Sequence, residues 1–113
     1  MDEYQVIITP DAEEELNEID DYITFELHAP DIAVSCIAFI RRELASLSNM
    51  PKRHRLLDDE PWHSRGIRRM NVKNFAVFYI ILEDFHEVYI QNLIYQKRDI
   101  AQILSEIYED DSV

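Results

Sequence analysis

One glycine, Gly66, stands in 113 residues, so the glycine-rich loop that cradles a nucleotide's phosphates has nowhere to form. One cysteine, Cys36, excludes an intrachain disulfide, and its place on the apolar side of a predicted helix marks it as a small buried hydrophobe. Four scattered histidines, His28, His54, His63 and His86, have neither zinc spacing nor cysteine company, and no metal or other cofactor is expected. Nothing approaches the run of about 18 apolar residues that spans a bilayer. The acidic start, Met-Asp-Glu-Tyr, lacks a cationic leader region, so a cytoplasmic location is expected without membrane association. Repeats and low-complexity tracts are absent as well. The length suits one domain, residues 1–113, with a modest core.

Positive charge is the most uneven absence. Residues 1–40 hold eleven Asp and Glu and no Lys or Arg, within a chain of net charge -12. Residues 41–73 reverse the sign: nine Lys and Arg stand against Glu43, Asp58, Asp59 and Glu60, a local excess of five. This distribution predicts an acidic side and a cationic side, the latter able to focus a field on an anionic or acidic partner.

Hydrophobic periodicity lays out the elements. Tyr4 to Ile8 reads as a short strand, stopped by Thr9-Pro10-Asp11, where Thr9 can cap a helix and Pro10 suits its first position. Ala12, Leu16, Ile19 and Ile23 form a helical stripe, which His28-Ala29-Pro30 breaks. A second stripe, Ala33, Ile37, Ile40, Leu44 and Leu47, ends at Asn49-Met50-Pro51. The tight join predicts an antiparallel hairpin. After a polar connection from Lys52 to Ser64, strands are expected at Gly66 to Asn71, Phe75 to Leu82 and His86 to Tyr95, as an antiparallel meander turned near Asn74 and Glu83-Asp84. The near-continuous apolar run Phe75 to Leu82 belongs at the centre of the sheet. Ile100, Ile103, Leu104, Ile107 and Tyr108 predict a C-terminal amphipathic helix. The fold class is α+β: an N-terminal strand, a helical hairpin on an antiparallel-rich four-stranded sheet, and a short last helix.

Several segments, in this order and spacing, resemble the RelE/ParE superfamily of bacterial toxin-antitoxin toxins. They are the opening strand into Thr9-Pro10-Asp11-Ala12 and Leu16, the hairpin with Ala33, the Leu47-to-Pro51 helix end, Gly66-Ile67-Arg68-Arg69-Met70, Val77-Phe78-Tyr79, and Ile94-Tyr95-Gln96-Lys97-Arg98-Asp99. The resemblance covers roughly residues 4–100. It implies a hairpin packed on one face of the sheet and a concave basic surface on the other. In several branches that surface docks in the ribosomal A site and cuts mRNA, whereas the ParE branch inhibits DNA gyrase. Both are neutralised by a cognate antitoxin that wraps the toxin.

RNA cleavage of this kind needs no metal, because the 2′-hydroxyl beside the scissile phosphate is the nucleophile. The protein supplies a base, cations for the phosphate and an acid for the leaving 5′-oxygen. Arg68 or Arg69 is the candidate phosphate clamp; strand alternation turns one toward the groove and the other away, and the resemblance favours Arg69. Arg98 either holds a phosphate or pairs with a carboxylate such as Asp99. Tyr95 is a candidate for stacking on a base or donating its hydroxyl. Glu60 and His63 are the candidate proton-transfer groups, Glu60 reading equally as a solvated loop carboxylate. Lys52, Arg53, Arg55, Trp62, Arg65, Lys73, Gln96 and Lys97 complete the candidate RNA- or target-binding set, and the expectation is that Arg69, Arg98, Tyr95 and the 52–65 loop converge. Gln96, where some RNase branches carry a histidine, cannot titrate, which weakens the acid–base case.

The leading expectation is a ribosome-dependent mRNA endoribonuclease, with ribosome, mRNA and antitoxin as partners. The rivals are a non-enzymatic inhibitor of DNA gyrase and a weakened homologue that mainly binds antitoxin. The long hairpin and the missing terminal histidine favour the gyrase inhibitor, and the acidic bulk charge argues for the weakened homologue, since a polyanion would have to be held by one face alone.

Overall fold

The computed structural model describes residues 3–73 and 75–95. Strand β1 (Gln5–Ile8) leads into helix α1 (Pro10–Asp21), which continues as a π-helical turn (Tyr22–Glu26) before helix α2 (Pro30–Ala45). Short 3₁₀ turns at Ser46–Ser48 and Pro51–Arg53 begin the connection to strands β2 (Arg68–Val72), β3 (Phe75–Leu82) and β4 (Glu87–Ile94). The predicted C-terminal helix lies outside the described residues.

The chain folds where its local chemistry directs. Thr9 caps α1, its hydroxyl accepting the Ala12 N–H at 3.3 Å while donating to the Ile90 carbonyl at 2.8 Å. One side chain thereby starts the helix and ties it to the sheet. Pro10 and Pro30 occupy the first turns of the two helices, where a missing N–H costs nothing. With glycine confined to Gly66 (φ +77°), the other left-handed turns fall on His28, Met50, Lys73 and His86. Lys73 takes its place in the β2–β3 turn, where Asn74 lies outside the described residues, and His86 ends a 3₁₀ turn (Glu83–Phe85) rather than opening β4.

The sheet order is β1-β4-β3-β2. β2, β3 and β4 form the expected antiparallel meander, and β1 joins in parallel at the β4 edge, Gln5 opposite Glu87 through Ile8 opposite Ile90. β3 and β4 are central. Both helices cover one face, and their stripes (Leu16, Ile19, Ile23, Ala33, Cys36, Ile40, Leu44 and Leu47) meet Met70, Val72, Val77, Tyr79, Val88, Ile90 and Leu93 in one core. Each fully buried Leu or Ile contributes about 1.5–3 kcal/mol relative to exposure, so this seam dominates the stability. Cys36 is fully buried within it, and burial pushes its thiol up to about 11. Among the described residues no helix is long and apolar enough to cross a membrane.

Candidate functional site

Strand alternation separates the paired arginines as the sequence implies. Met70 and Val72 face the core, so Arg69 and Asn71 point to the opposite face while Arg68 tucks toward the helix side. Arg68 Nη1 donates to the carbonyls of His54 (2.7 Å) and Lys52 (3.3 Å). Directly across the register, the buried Tyr79 hydroxyl donates to the Pro51 carbonyl at 2.6 Å. Burial pushes that phenol up to about 12, which keeps it a neutral donor. The two side chains pin residues 51–54 to the sheet. Arg68 is thereby a structural clamp on backbone carbonyls, with Arg69 left as the outward member of the pair.

Arg69 donates from Nε to Asn71 Oδ1 at 3.0 Å and lays its guanidinium over the Phe78 ring at 5.7 Å. No ion pair among the described residues holds it. It borders an open groove of about 480 Å³ lined by Arg53, His54, Arg55, Leu56, Leu57, Asp58, Arg69 and Asn71. The far wall is positioned by backbone pairing: Leu57 N–H to the Ile67 carbonyl at 2.9 Å, Arg69 N–H to the Arg55 carbonyl at 3.1 Å, and a Leu56–Arg68 bridge. This extra strand-like arm, which sequence reasoning left inside a polar connection, lies along the outer edge of β2.

His54 is the groove residue that sequence reasoning passed over. Its Nε2 is buried without a partner, and its ring meets Tyr79 edge-on, centroids 6.3 Å apart. Burial, aided by the Arg53 charge, holds its pKa below the usual histidine value, so the ring is neutral. Its signal in the sequence was faint: a lone histidine between two arginines.

The remaining cations are largely engaged within the fold. Arg53 donates to the carbonyls of Ser46, Asn49 and Met50 and to the Ser46 hydroxyl, closing the end of the hairpin. Lys52 pairs with Glu83, which also accepts from the Tyr4 hydroxyl at 2.6 Å. Arg55 stands 3.7 Å from Asp58, Arg65 lies over Trp62 at 5.6 Å, and Arg41 makes a two-pronged bond with Glu13 at 2.8 and 3.1 Å. Lys73 lies in the β2–β3 turn. The expected basic concave face is thus corrected: among the described residues the face away from the helices is mixed, with Ile7, Phe78, Ile80 and Tyr89 beside Gln5, Asn71, Glu87 and Asn92, and Arg69 at its margin. The cations serve carbonyls and carboxylates that a glycine-poor, loop-tightened fold would otherwise leave unpaired.

The proposed proton-transfer groups sit in a compact loop. Glu60 accepts the Ser64 N–H (3.0 Å) and hydroxyl (2.8 Å), and these bonds hold its carboxyl below the usual glutamate range. His63 Nδ1 lies 2.8 Å from the Leu57 carbonyl, which assigns the proton to that nitrogen. Neither lines the Arg69 groove. Trp62 keeps 43% of its surface exposed on the same loop.

Tyr95 goes elsewhere. It packs on Phe75, ring centroids 5.9 Å apart, and lines pockets against the hairpin with Glu15, Glu18, Asp21, Tyr22, Phe25 and Glu26. Burial, then the charges of Glu18 and Glu15, push its phenol above the usual tyrosine value. The expected convergence of Tyr95 with Arg69 does not occur, since the odd-numbered end of β4 turns toward the helices. Gln96, Lys97 and Arg98 lie outside the described residues.

A hairpin on one face of a β1-β4-β3-β2 sheet is the architecture of small bacterial toxins already solved. The chain is similar to a chain of the toxin-antitoxin complex RelBE2 from Mycobacterium tuberculosis (TM-score 0.60, 21% identity, 85% of this chain and 94% of that one). It is also similar to one of the chromosomal ParDE system from P. aeruginosa (TM-score 0.68, 17% identity, 86% and 100%) and to a free-state mutant of the E. coli toxin RelE (TM-score 0.56, 9% identity, 98% and 99%). No curated protein matches the chain in sequence. Residues 6–100 match the family described as the ParE toxin of the type II toxin-antitoxin system parDE. The chain belongs to that family and is a type II toxin.

Proposed function

We propose that this toxin acts by binding a protein target, DNA gyrase, and that a cognate antitoxin neutralises it by covering the same molecule. The observation that carries this reading is the use the fold makes of its cations. Arg53 and Arg68 serve backbone carbonyls and Lys52 serves Glu83, so a polyanion would find chiefly Arg69 and the weakly paired Arg55 at the groove. Proton transfer would need a base within hydrogen-bond reach of a 2′-hydroxyl, and the groove's imidazole turns its Nε2 inward. A sheet face that mixes Ile7, Phe78, Ile80 and Tyr89 with Gln5, Asn71 and Asn92 fits association with a protein surface. Membership of the ParE family points the same way.

The test sets both targets beside one toxin preparation, with and without antitoxin. Arrested supercoiling by purified gyrase beside intact mRNA on programmed ribosomes is the expected result. Ribosome-dependent cleavage leaving 2′,3′-cyclic phosphate ends would overturn it in favour of an endoribonuclease built around Arg69. In that case Arg69→Ala should slow cleavage by about 100-fold, the usual loss for a transition-state donor.

A further inference from the structure

His54 lines the Arg69 groove, yet its ring leans toward the core. The Nε2 atom is buried without a hydrogen-bond partner, and the ring meets the buried Tyr79 edge-on with centroids 6.3 Å apart. The backbone around it is fixed at two points: the His54 carbonyl accepts Arg68 Nη1 at 2.7 Å, and the Arg55 carbonyl accepts the Arg69 N–H at 3.1 Å. The side chain keeps its place by packing. Its backbone is extended (φ -98°, ψ 152°), a conformation that leaves more than one χ1 rotamer open.

The inward position suits a neutral ring and rejects a charged one. An imidazolium carries two N–H donors, and the one on Nε2 would be buried with no acceptor. The groups around this position are Arg53 next to it in sequence, Arg68 reaching over from β2 and the neutral phenol of Tyr79 on β3. On the groove side stand Arg55 and Asp58 from its own arm and Arg69 from β2. Asp58 holds Arg55 only loosely, at 3.7 Å with side chains 82% and 86% exposed. An inward imidazolium would thus meet guanidinium groups and a blocked N–H, whereas an outward one meets water and a carboxylate.

We infer that His54 is a conditional cation of this groove: on taking up a proton its ring turns from Tyr79 into the open space of about 480 Å³ and joins Arg55 and Arg69 in holding an oxyanion. The groove therefore binds such a group more tightly as pH falls. By linkage, a bound oxyanion must in turn raise the proton affinity of His54. The device goes beyond the gyrase reading and does not depend on it, since it concerns what the groove holds and not which macromolecule meets it.

The experiment titrates full-length toxin with sulfate, whose charge is constant over the range used, against chloride of equal ionic strength. Between about pH 7.5 and pH 5.5 the carboxylates stay ionised and histidine is the side chain that titrates. Sulfate affinity, read from the NMR shifts of the Arg69 side chain and the Asn71 amide, should rise about fivefold across that range, the gain from one added charge near the surface. His54→Phe keeps the ring against Tyr79 but cannot charge, and should show no gain; its thermal melt serves as the folding control. His28→Asn, at the tip of the hairpin, should keep the full gain. In the wild type the His54 ring should titrate at higher pH in sulfate than in chloride, and its nuclear Overhauser contact with Tyr79 should vanish on protonation. Equal sulfate affinity at both pH values, or a gain that survives in His54→Phe, would overturn the inference. A protonated ring that still contacts Tyr79 would overturn it too, and neither result bears on gyrase binding.

Discussion

Glu15 on α1 accepts the backbone N–H of Leu93 on β4 at 2.6 Å, across 78 residues of sequence. β1 stops at Ile8, opposite Ile90, so the outer edge of β4 has no strand to pair with beyond that point. A carboxylate from the helix takes the place of the missing strand. Glu15→Ala should therefore cost about 1–3 kcal/mol, the penalty of stranding a partly buried donor, while Glu15→Gln should cost less because its amide oxygen still accepts. Urea denaturation midpoints of the three proteins check this order.

Tyr79→Phe removes the hydroxyl bonded to the Pro51 carbonyl and leaves the ring in the core. The expected loss is about 1–2 kcal/mol, with Pro51's oxygen left unsatisfied. Because Arg68 fixes the same segment, Arg68→Ala combined with Tyr79→Phe should lose less or more than the sum of the singles, and a double-mutant cycle measures that coupling. Strict additivity would show that the two clamps act independently.

His54 gives the protein a pH dependence of defined sign. Its folded pKa lies below the unfolded value of about 6.5, so the unfolded chain binds the proton more readily between the two. Stability is complete above about pH 6.5, falls as pH drops below it, and levels once the folded ring also protonates. His54→Phe keeps the edge-on contact with Tyr79, removes the unpartnered nitrogen and should flatten this slope. Thermal melts of both proteins from neutral to mildly acidic pH decide it, and parallel slopes would exclude His54 as the source.

Gly66 holds φ +77° with open space where a Cβ would stand, so the cost of a side chain there is backbone strain alone. Gly66→Ala should destabilise by about 1 kcal/mol. Its amide donates to the His63 carbonyl at 3.0 Å, closing the loop that carries Glu60, His63 and Trp62. Protease sensitivity confined to that loop would rise in the variant.

The elements were legible because each is written twice, in periodicity and in its stops. Leu16, Ile19 and Ile23 announced a helix, Thr9-Pro10 its start, and Phe75 to Leu82 emerged as a strand with those same ends. The acid–base asymmetry was legible as composition but misleading as geometry. A count of charges does not reveal that Arg53 and Arg68 turn inward onto carbonyls, since hydrogen bonds to backbone depend on how a loop folds back. The same limit hid His54, whose setting is made by Tyr79 from 25 residues away.

The parallel pairing of β1 with β4 joins Gln5 to Glu87, the first strand to the last among the described residues. Contacts of such sequence separation form slowly, because a long loop must close before it is rewarded. The sheet's edge, the Thr9 tie to Ile90 and the Glu15 bond to Leu93 all wait for β4. A chain still being translated therefore holds a hairpin without its sheet. The sheet therefore closes only after β4 has been made, however early the hairpin forms.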